Sequence, residues 1–190
     1  MPLWGITDES KPKWLTDAQK KEVYANESGW VVEGGSTMTG NGNPDAQPEV
    51  LACIGELADR LLTGTITQVE LPTSYSDGTG GNFDVLIRYN EAVDVVTTGG
   101  SPTILITNDT SSSRNLTATY HSGSGSNEIV FRKTNAQTVV QALDILSITD
   151  ASPYIVLNGG TIKDKGTATN SEVNVSATIA GLAGSLTVSA

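Results

Sequence analysis

The sequence has few of the residues from which catalytic, disulfide-bonded and metal sites are built. It contains one cysteine, Cys53, and one histidine, His121, in 190 residues. One cysteine cannot form a disulfide within the sequence, and a single His far from a single Cys does not make a zinc site. We expect Cys53, which lies in an apolar run, to be a small buried hydrophobic residue. His121 stands beside SGSGS, which predicts a surface or turn position and not a catalytic base.

Basic residues are also scarce. The chain has 11 Lys and Arg against 21 Asp and Glu, which gives a formal net charge of −10 and a pI of about 4.4. Nucleic acid and anionic membranes attract clustered positive charge, so neither is expected as a partner, and the acidity favours solubility. An apolar run of about 18 residues and the regions of a signal peptide are both missing. We therefore expect synthesis in the cytoplasm and no membrane span.

Aromatic residues make up only 5% of the chain, and their placement is uneven. The three tryptophans are Trp4, Trp14 and Trp30, all in a polar stretch at the start of the sequence. Residues 1–48 are rich in Gly, Asn, Pro and charge. TDAQKKEVYA is the best helix candidate there, with Thr16 and Gln19 placed to form a capping box. GWVVEGG predicts a short strand, and GGSTMTGNGNPDAQP predicts a loop.

Residues 49–62, EVLACIGELADRLL, fit two structures. Val50, Ile54, Leu57 and Leu61 lie on one face of a helix. The first half, EVLACI, fits a buried strand equally well. The pattern slightly favours the helix.

From residue 64 onwards the sequence is typical of an antiparallel β-sandwich. FDVLIRYN alternates Phe83, Val85, Ile87 and Tyr89 with polar residues, which indicates a half-buried strand. Glycine-rich turns separate further short apolar segments, and no helical run is predicted between them. The other predicted strands are TITQVELP, AVDVVT, PTILIT, NLTATYH, NEIVFRK, TVVQALDILSI, YIVLNG, EVNVSATIA and SLTVS.

No pattern in the sequence predicts an enzyme. Asp77 and Asp84 in SYSDGTGGNFD lack the spacing of a calcium loop, so a turn between strands is the better interpretation. GTGGN and SGSGS are not followed by the Lys of a phosphate-binding loop. We therefore predict no catalytic residue, no cofactor and no metal.

The first part of the chain resembles the N-terminal region of structural proteins of marine tailed phages, including cyanophages. The resemblance covers residues 1–57 with gaps and follows LWGITDESKPKWL, VYANESGWVVE and PEVLACIGEL. The matching positions are Trp4, Gly5, Asp8, Lys11, Pro12, Tyr24, Ala25, Gly29, Trp30, Glu49, Val50, Leu51 and Ile54.

The second part resembles the immunoglobulin-like repeats of bacterial and phage surface and adhesin-type proteins. The elements NEAVDV, TYHSGSGSNEIVFR and LNGGTIKD occur in the expected order within residues 65–165. Related repeats often carry an acidic Gly-Asp-x-Asp loop after the hairpin. This chain has NAQTVVQALDI instead, which argues against a calcium role for that loop.

Together the resemblances imply a non-enzymatic phage virion structural protein. They imply an N-terminal attachment region over 1–63 and an immunoglobulin-like β-sandwich domain over 64–190. The expected role is a capsid decoration or cement protein on the particle exterior, a homo-oligomer (a trimer by analogy with assembly symmetry) bound to the major capsid protein. The alternatives are a tail, neck or fibre-base component, or a glycan-binding adhesion module.

The N-terminal region is predicted to be an extended, loop-rich arm with one or two short helices. Ordering about 45 residues costs on the order of 1–2 kcal/mol each, and a buried Trp or Leu returns only about 1.5–3 kcal/mol. We therefore expect the arm to order by docking on another virion protein, with its apolar residues as anchors. These are Leu3, Trp4, Ile6, Pro12, Trp14, Leu15, Tyr24 and Trp30. The alternative is that its tryptophans pack within the molecule, over the open end of the sandwich.

Overall fold

The computed structural model describes residues 11–57, 63–78 and 80–190, and within them the chain is mainly β. Its strands form one open mixed sheet in the order β11-β9-β6-β7-β8-β5-β1-β2-β3, with β4 and β10 also paired to β5. The α-helices with described bounds are α1 (Asp17–Lys21) and α2 (Ala177–Ala183), and two short 3-10 helices span Ser112–Arg114 and Ala136–Thr138. The strands are β1 (Val23–Asn26), β2 (Gly29–Val32), β3 (Glu49–Cys53), β4 (Ile66–Glu70), β5 (Phe83–Val96), β6 (Thr103–Asn108), β7 (Leu116–Ser122), β8 (Ser126–Lys133), β9 (Ile145–Ser147), β10 (Thr161–Asp164) and β11 (Ser185–Thr187).

Residues 11–57, here called the N-terminal unit, form a helix followed by three antiparallel strands. The predicted capping box begins α1: the Thr16 hydroxyl accepts from the Gln19 backbone N–H at 3.2 Å, and the Gln19 side chain accepts from the Thr16 N–H at 3.0 Å. The hairpin between β1 and β2 depends on Gly29, whose φ is +129°. A Cβ there would lie 2.1 Å from the Ala52 carbonyl oxygen, so only glycine fits.

The N-terminal unit has a core of its own. Alternate residues of β1 and β2 place their side chains on one face, where the preceding turn and the segment after β3 cover them. The prediction of an extended arm is therefore wrong over residues 11–57, because strand pairing brings together apolar residues that are far apart in sequence. The buried members are Leu15, Val23, Ala25, Trp30, Val32 and Leu57.

The helix favoured for residues 49–62 is wrong at its start, where residues 49–53 form β3. The alternative of a buried strand is only partly right, because β3 is an edge strand that pairs with β2 alone. Val50 and Cys53 are exposed, so the predicted burial of Cys53 is wrong. Residues 58–62 of this segment lie outside the described residues.

The described residues from 63 onwards, here called the main β region, are organised around β5. FDVLIRYN and AVDVVT, predicted as two strands, form this single strand of 14 residues. Its first half pairs with β4 and β8, and its second half pairs with β10. The predicted alternation is confirmed, since Phe83, Val85, Ile87 and Tyr89 are all buried. They join side chains of β6, β7 and β8 in a large core.

The end of the chain differs from the predicted run of strands. The second half of EVNVSATIA is the start of α2, where the Ser176 hydroxyl accepts from the Ile179 N–H at 3.3 Å. The helix packs against β4. TVVQALDILSI retains only the short strand β9, and YIVLNG contributes only an isolated bridge from Val156 to Thr103. Across the described ranges, neither helix is long and apolar enough to span a bilayer.

Candidate functional site

Five of the predicted anchor residues are described by the structure, and four of them are buried. Pro12, Leu15, Tyr24 and Trp30 are buried within the molecule, so their assignment as contacts to a partner is corrected. They are covered because the N-terminal unit folds on itself and against β5. Three further anchors, Leu3, Trp4 and Ile6, lie outside the described residues.

Trp14 is the one described anchor whose side chain reaches solvent. It is 70% exposed, whereas Trp30 is only 2% exposed. Its backbone belongs to a tight turn in which the Leu15 N–H donates to the Pro12 carbonyl at 3.1 Å. The buried Leu15 side chain fixes one side of this turn, and Lys11 fixes the other by donating from Nζ to the Lys20 carbonyl at 2.7 Å. A held backbone therefore presents an apolar ring to solvent.

The N-terminal unit meets the main β region where β1 lies beside β5, a contact here called the junction. β1 runs parallel to β5 with a single paired position, Ala25 with Glu91. Tyr24, Val31 and Ala92 form a separate buried apolar cluster beside this pair. Tyr24 and Val31 are cross-strand neighbours on the face of the unit opposite Trp30, so both faces of the hairpin are covered.

Charged side chains surround the apolar cluster at the junction. Arg88 on β5 forms an ion pair with Glu128, its cross-strand neighbour on β8. The same guanidinium lies 3.8 Å from Glu33, which directly follows β2, and donates to the Lys21 carbonyl at 3.0 Å. Nearby, Glu22 accepts from the Ser36 hydroxyl at 2.5 Å. One guanidinium is therefore shared among carboxylates from both parts of the molecule.

The pKa of Glu33 reflects this crowding. Burial, and then the charge of Glu128, raise the pKa of Glu33 from 4.5 to about 7, against the opposing effect of Arg88. A hydrogen-bond effect from the Glu128 side chain is the smallest of the causes that raise the pKa of Glu33. Burial, Glu33 and Glu128 also raise the pKa of Tyr24 to about 12.

A polar cleft of about 720 Å³ opens beside the junction. Its walls come from β1, the loop between β2 and β3, the start of β8 and the turn after β10. The lining is mainly carboxyl, amide and hydroxyl groups with one lysine, which suits water and polar ligands more than apolar ones. The charged lining residues are Glu27, Glu33, Glu128 and Lys165.

The other residues considered from the sequence do not assemble into a site. His121 is exposed on β7. Asp84 forms a two-point ion pair with Arg132 at 2.6 and 2.7 Å, while Asp77 accepts from the Ala142 N–H at 2.9 Å. Asp77 and Asp84 therefore serve separate structural contacts. Over the described ranges, no group of three or more His, Cys, Asp and Glu side chains is placed to hold a metal ion.

The charged junction is not predicted by any pattern in the sequence. Side chains alternate between the two faces of β5, and Arg88 lies on the face opposite the buried apolar residues. The sequence therefore predicts that the Arg88 side chain is partly exposed to solvent. Its pairing with Glu128 depends on the register of β5 and β8, and its approach to Glu33 depends on how the N-terminal unit packs. Comparison of the chain with protein-family models, with curated proteins and with solved structures finds no match.

Proposed function

We propose that this chain is a non-enzymatic structural protein of a tailed-phage virion, attached through its N-terminal region to another virion protein. The proposed partner is the major capsid protein, and the proposed role is decoration or cementing of the capsid exterior as a homo-oligomer. The observation that carries the proposal is the exposure of Trp14 on a fixed turn. The resemblance of residues 1–57 to phage structural proteins gives the class of partner.

An exposed tryptophan held in place is suited to binding another protein. Tryptophan is among the residues that contribute most at protein interfaces, because one ring removes a large apolar area from water. A turn that is already ordered loses little entropy when a partner covers it. In the chain as described, Trp14 combines both properties, whereas Trp30 already contributes its ring to the protein's own core.

The main β region supports the proposal of a displayed immunoglobulin-like domain. β6, β7 and β8 are consecutive antiparallel neighbours in the sheet, and β5 pairs antiparallel with the other edge of β8. Their inward side chains share one core with β9 and β11. The net charge of −10 favours a surface in contact with solvent over one in contact with packaged DNA. We therefore place the main β region outward and the N-terminal unit against the particle.

The experiment measures incorporation of variants into particles of the phage that encodes the chain. Trp14→Ala is expected to reduce occupancy at least about tenfold, which corresponds to loss of one interface residue worth about 1.4 kcal/mol or more. The matched control is Leu182→Ala on α2, which removes an apolar side chain that is 78% exposed in the main β region. Wild-type occupancy for Trp14→Ala would contradict attachment through this turn.

Copy number in the same particles separates the head from the tail. A decoration protein is present in hundreds of copies because capsids repeat their surface many times, whereas a tail or neck component forms one small ring. Absence of the chain from purified particles would contradict the proposed function as a whole. A glycan array with the same purified protein tests the adhesion alternative.

A further inference from the structure

We propose that the junction is a proton-dependent latch, which holds the N-terminal unit against the main β region while Glu33 is protonated and releases it when Glu33 ionises. The inference concerns the two parts of the chain and does not depend on which partner the protein binds. It rests on three features: a small apolar contact, an excess of carboxylates around one guanidinium, and the position of Glu33 between the two parts.

The buried apolar cluster at the junction is smaller than the core of either part. Among the described residues it consists of three side chains, Tyr24, Val31 and Ala92. The backbone adds a single paired position between β1 and β5. By comparison, β5 and β8 pair at seven positions within the main β region. A contact of this size can be opposed by a change of one charge, because ion pairs in partly buried sites carry energies similar to those of a few buried side chains.

The charges that face the junction come from every element packed around it, and acidic groups outnumber basic ones close to Glu33. Arg88 contacts both Glu33 and Glu128, so one positive charge lies between two carboxylates. Glu22 further raises the pKa of Glu33. Among the described residues, Tyr24, Glu27 and Lys165 line the cleft, and Lys21 lines a second cleft on the other side of Glu33. Glu91 belongs to the backbone pair and takes part in an interaction of its own.

Protonation of Glu33 removes the conflict. A protonated Glu33 carries no charge, so Arg88 then forms its ion pair with Glu128 alone. When Glu33 loses the proton, its carboxylate and that of Glu128 repel each other across the junction. Glu33 follows β2 of the N-terminal unit, while Glu128 belongs to β8 of the main β region. The repulsion therefore acts directly between the two parts.

The direction of the pH effect follows from the pKa of Glu33, which is about 7 in the closed state against 4.5 for an ordinary glutamate. The closed state binds the proton more tightly, so its advantage is complete below pH 4.5 and is lost as the pH rises to about 7. Over that window the ratio of open to closed molecules is expected to rise by about tenfold per pH unit. Above it, the ratio is constant until other groups titrate.

Opening would expose the face of the hairpin that carries Tyr24 and Val31, together with Ala92 on β5. The core around Trp30 lies on the opposite face and is not part of the junction. The strands β1–β3 therefore remain paired with each other during opening. The latch changes how the N-terminal unit is placed relative to the main β region, without unfolding either.

Two measurements on the full chain test the latch. The first follows the Glu33 side-chain carboxyl carbon by NMR as a function of pH. We expect a midpoint clearly above 4.5 and below about 7, because opening of the junction lowers the observed midpoint from its closed-state value. The second measures the distance between spin labels on Cys53, which is exposed on β3, and on an introduced Thr117→Cys, which is exposed on β7. We expect one narrow distance at about pH 4.5 and an additional longer distance at about pH 8.

Variants assign the effect to Glu33. Glu33→Gln cannot ionise and is expected to keep the single narrow distance at both pH values. The matched control is Glu27→Gln, the same chemical change at an exposed position that lines the same cleft. This variant is expected to show the same distances as the unsubstituted protein at both pH values. A Glu33 midpoint near 4.5 would overturn the latch. So would identical distances at both pH values, or opening at high pH that persists in Glu33→Gln.

Discussion

The N-terminal unit and the main β region differ most in the size of the core that holds their strands. Six buried side chains form the core of the N-terminal unit, whereas twenty-five form the core of the main β region. Stability from burial grows with the apolar area removed from water, so the smaller unit has the smaller margin. The comparison teaches that the N-terminal unit is ordered, and that it depends heavily on one residue, Trp30.

The largest expected effect comes from the main β region. Phe131→Ala removes a fully buried ring from β8 and leaves a cavity beneath the paired strands. The free energy of unfolding is expected to fall by about 3–5 kcal/mol. Urea denaturation followed by circular dichroism measures it. A loss below about 1 kcal/mol would show that this core does not set the stability of the chain.

Trp30→Ala tests whether the N-terminal unit can lose its order separately. The substitution removes the largest side chain from a core of six. We therefore expect the free energy needed to open β1–β3 to fall by about 3 kcal/mol. Native-state hydrogen exchange at the amides of residues 23–32 measures this opening. The amides of β5 and β8 serve as the internal control and are expected to keep their protection. Equal loss in both sets would mean that the two parts unfold as one unit.

Asp144 tests an ion pair that belongs to the main β region alone. Its buried carboxylate accepts two hydrogen bonds from Arg114, at 2.5 and 2.8 Å, and one from the Gln141 N–H. These bonds, with Arg114 first, hold the pKa of Asp144 well below its usual range. The stability they give is present above pH 3.8 and is lost as the pH falls below that value towards the folded pKa.

Asp144→Asn is therefore expected to lower the free energy of unfolding at neutral pH by about 1.5–3 kcal/mol, as for hydrogen bonds to a charged group. Asp144→Asn is also expected to reduce the dependence of the free energy of unfolding on pH below 3.8. Urea unfolding at a series of acidic pH values measures both. The matched control is Asp84→Asn, which breaks the more exposed pair with Arg132 and is expected to cost less. An unchanged acid profile in Asp144→Asn would contradict the pKa direction.

The smallest expected effect on stability is that of Trp14→Ala. The ring is 70% exposed, so its removal is expected to change the free energy of unfolding by less than about 0.5 kcal/mol. Together with Trp30→Ala, this compares two tryptophans of the same unit, one of which holds the core and the other of which is free to contact a partner. A destabilisation as large as that of Trp30→Ala would show that Trp14 is a structural residue.

Local signals in the sequence predicted much of the fold. Thr16 and Gln19 identified the start of α1, because a capping box needs only side chains three residues apart. The alternation of Phe83, Val85, Ile87 and Tyr89 identified β5 and its buried face. α2 differs from the prediction, which assigns Ser176 to a strand. Serine before a run of small residues is also a common helix cap, and Ser176 caps α2.

Within the candidate site, the sequence indicated the tryptophans as unusual but could not separate them. Trp14 and Trp30 both stand in polar surroundings, and only the pairing of β1, β2 and β3 shows that one is inside and the other outside. The junction of Glu33, Arg88 and Glu128 was not predictable for the same reason. Its members come from three distant segments, and a single-residue change of strand register would separate Arg88 from Glu128.

By itself the sequence determined the mainly β class, the acidic surface and the positions of most strands in the main β region, because these depend on composition and on a period of two residues. Only the tertiary structure decided that residues 11–57 fold into a packed unit, and which face of each strand is covered. Burial and shared charge at the junction are properties of several segments together. They arise only when β1 is placed beside β5, where the environment of Glu33 raises its pKa to about 7.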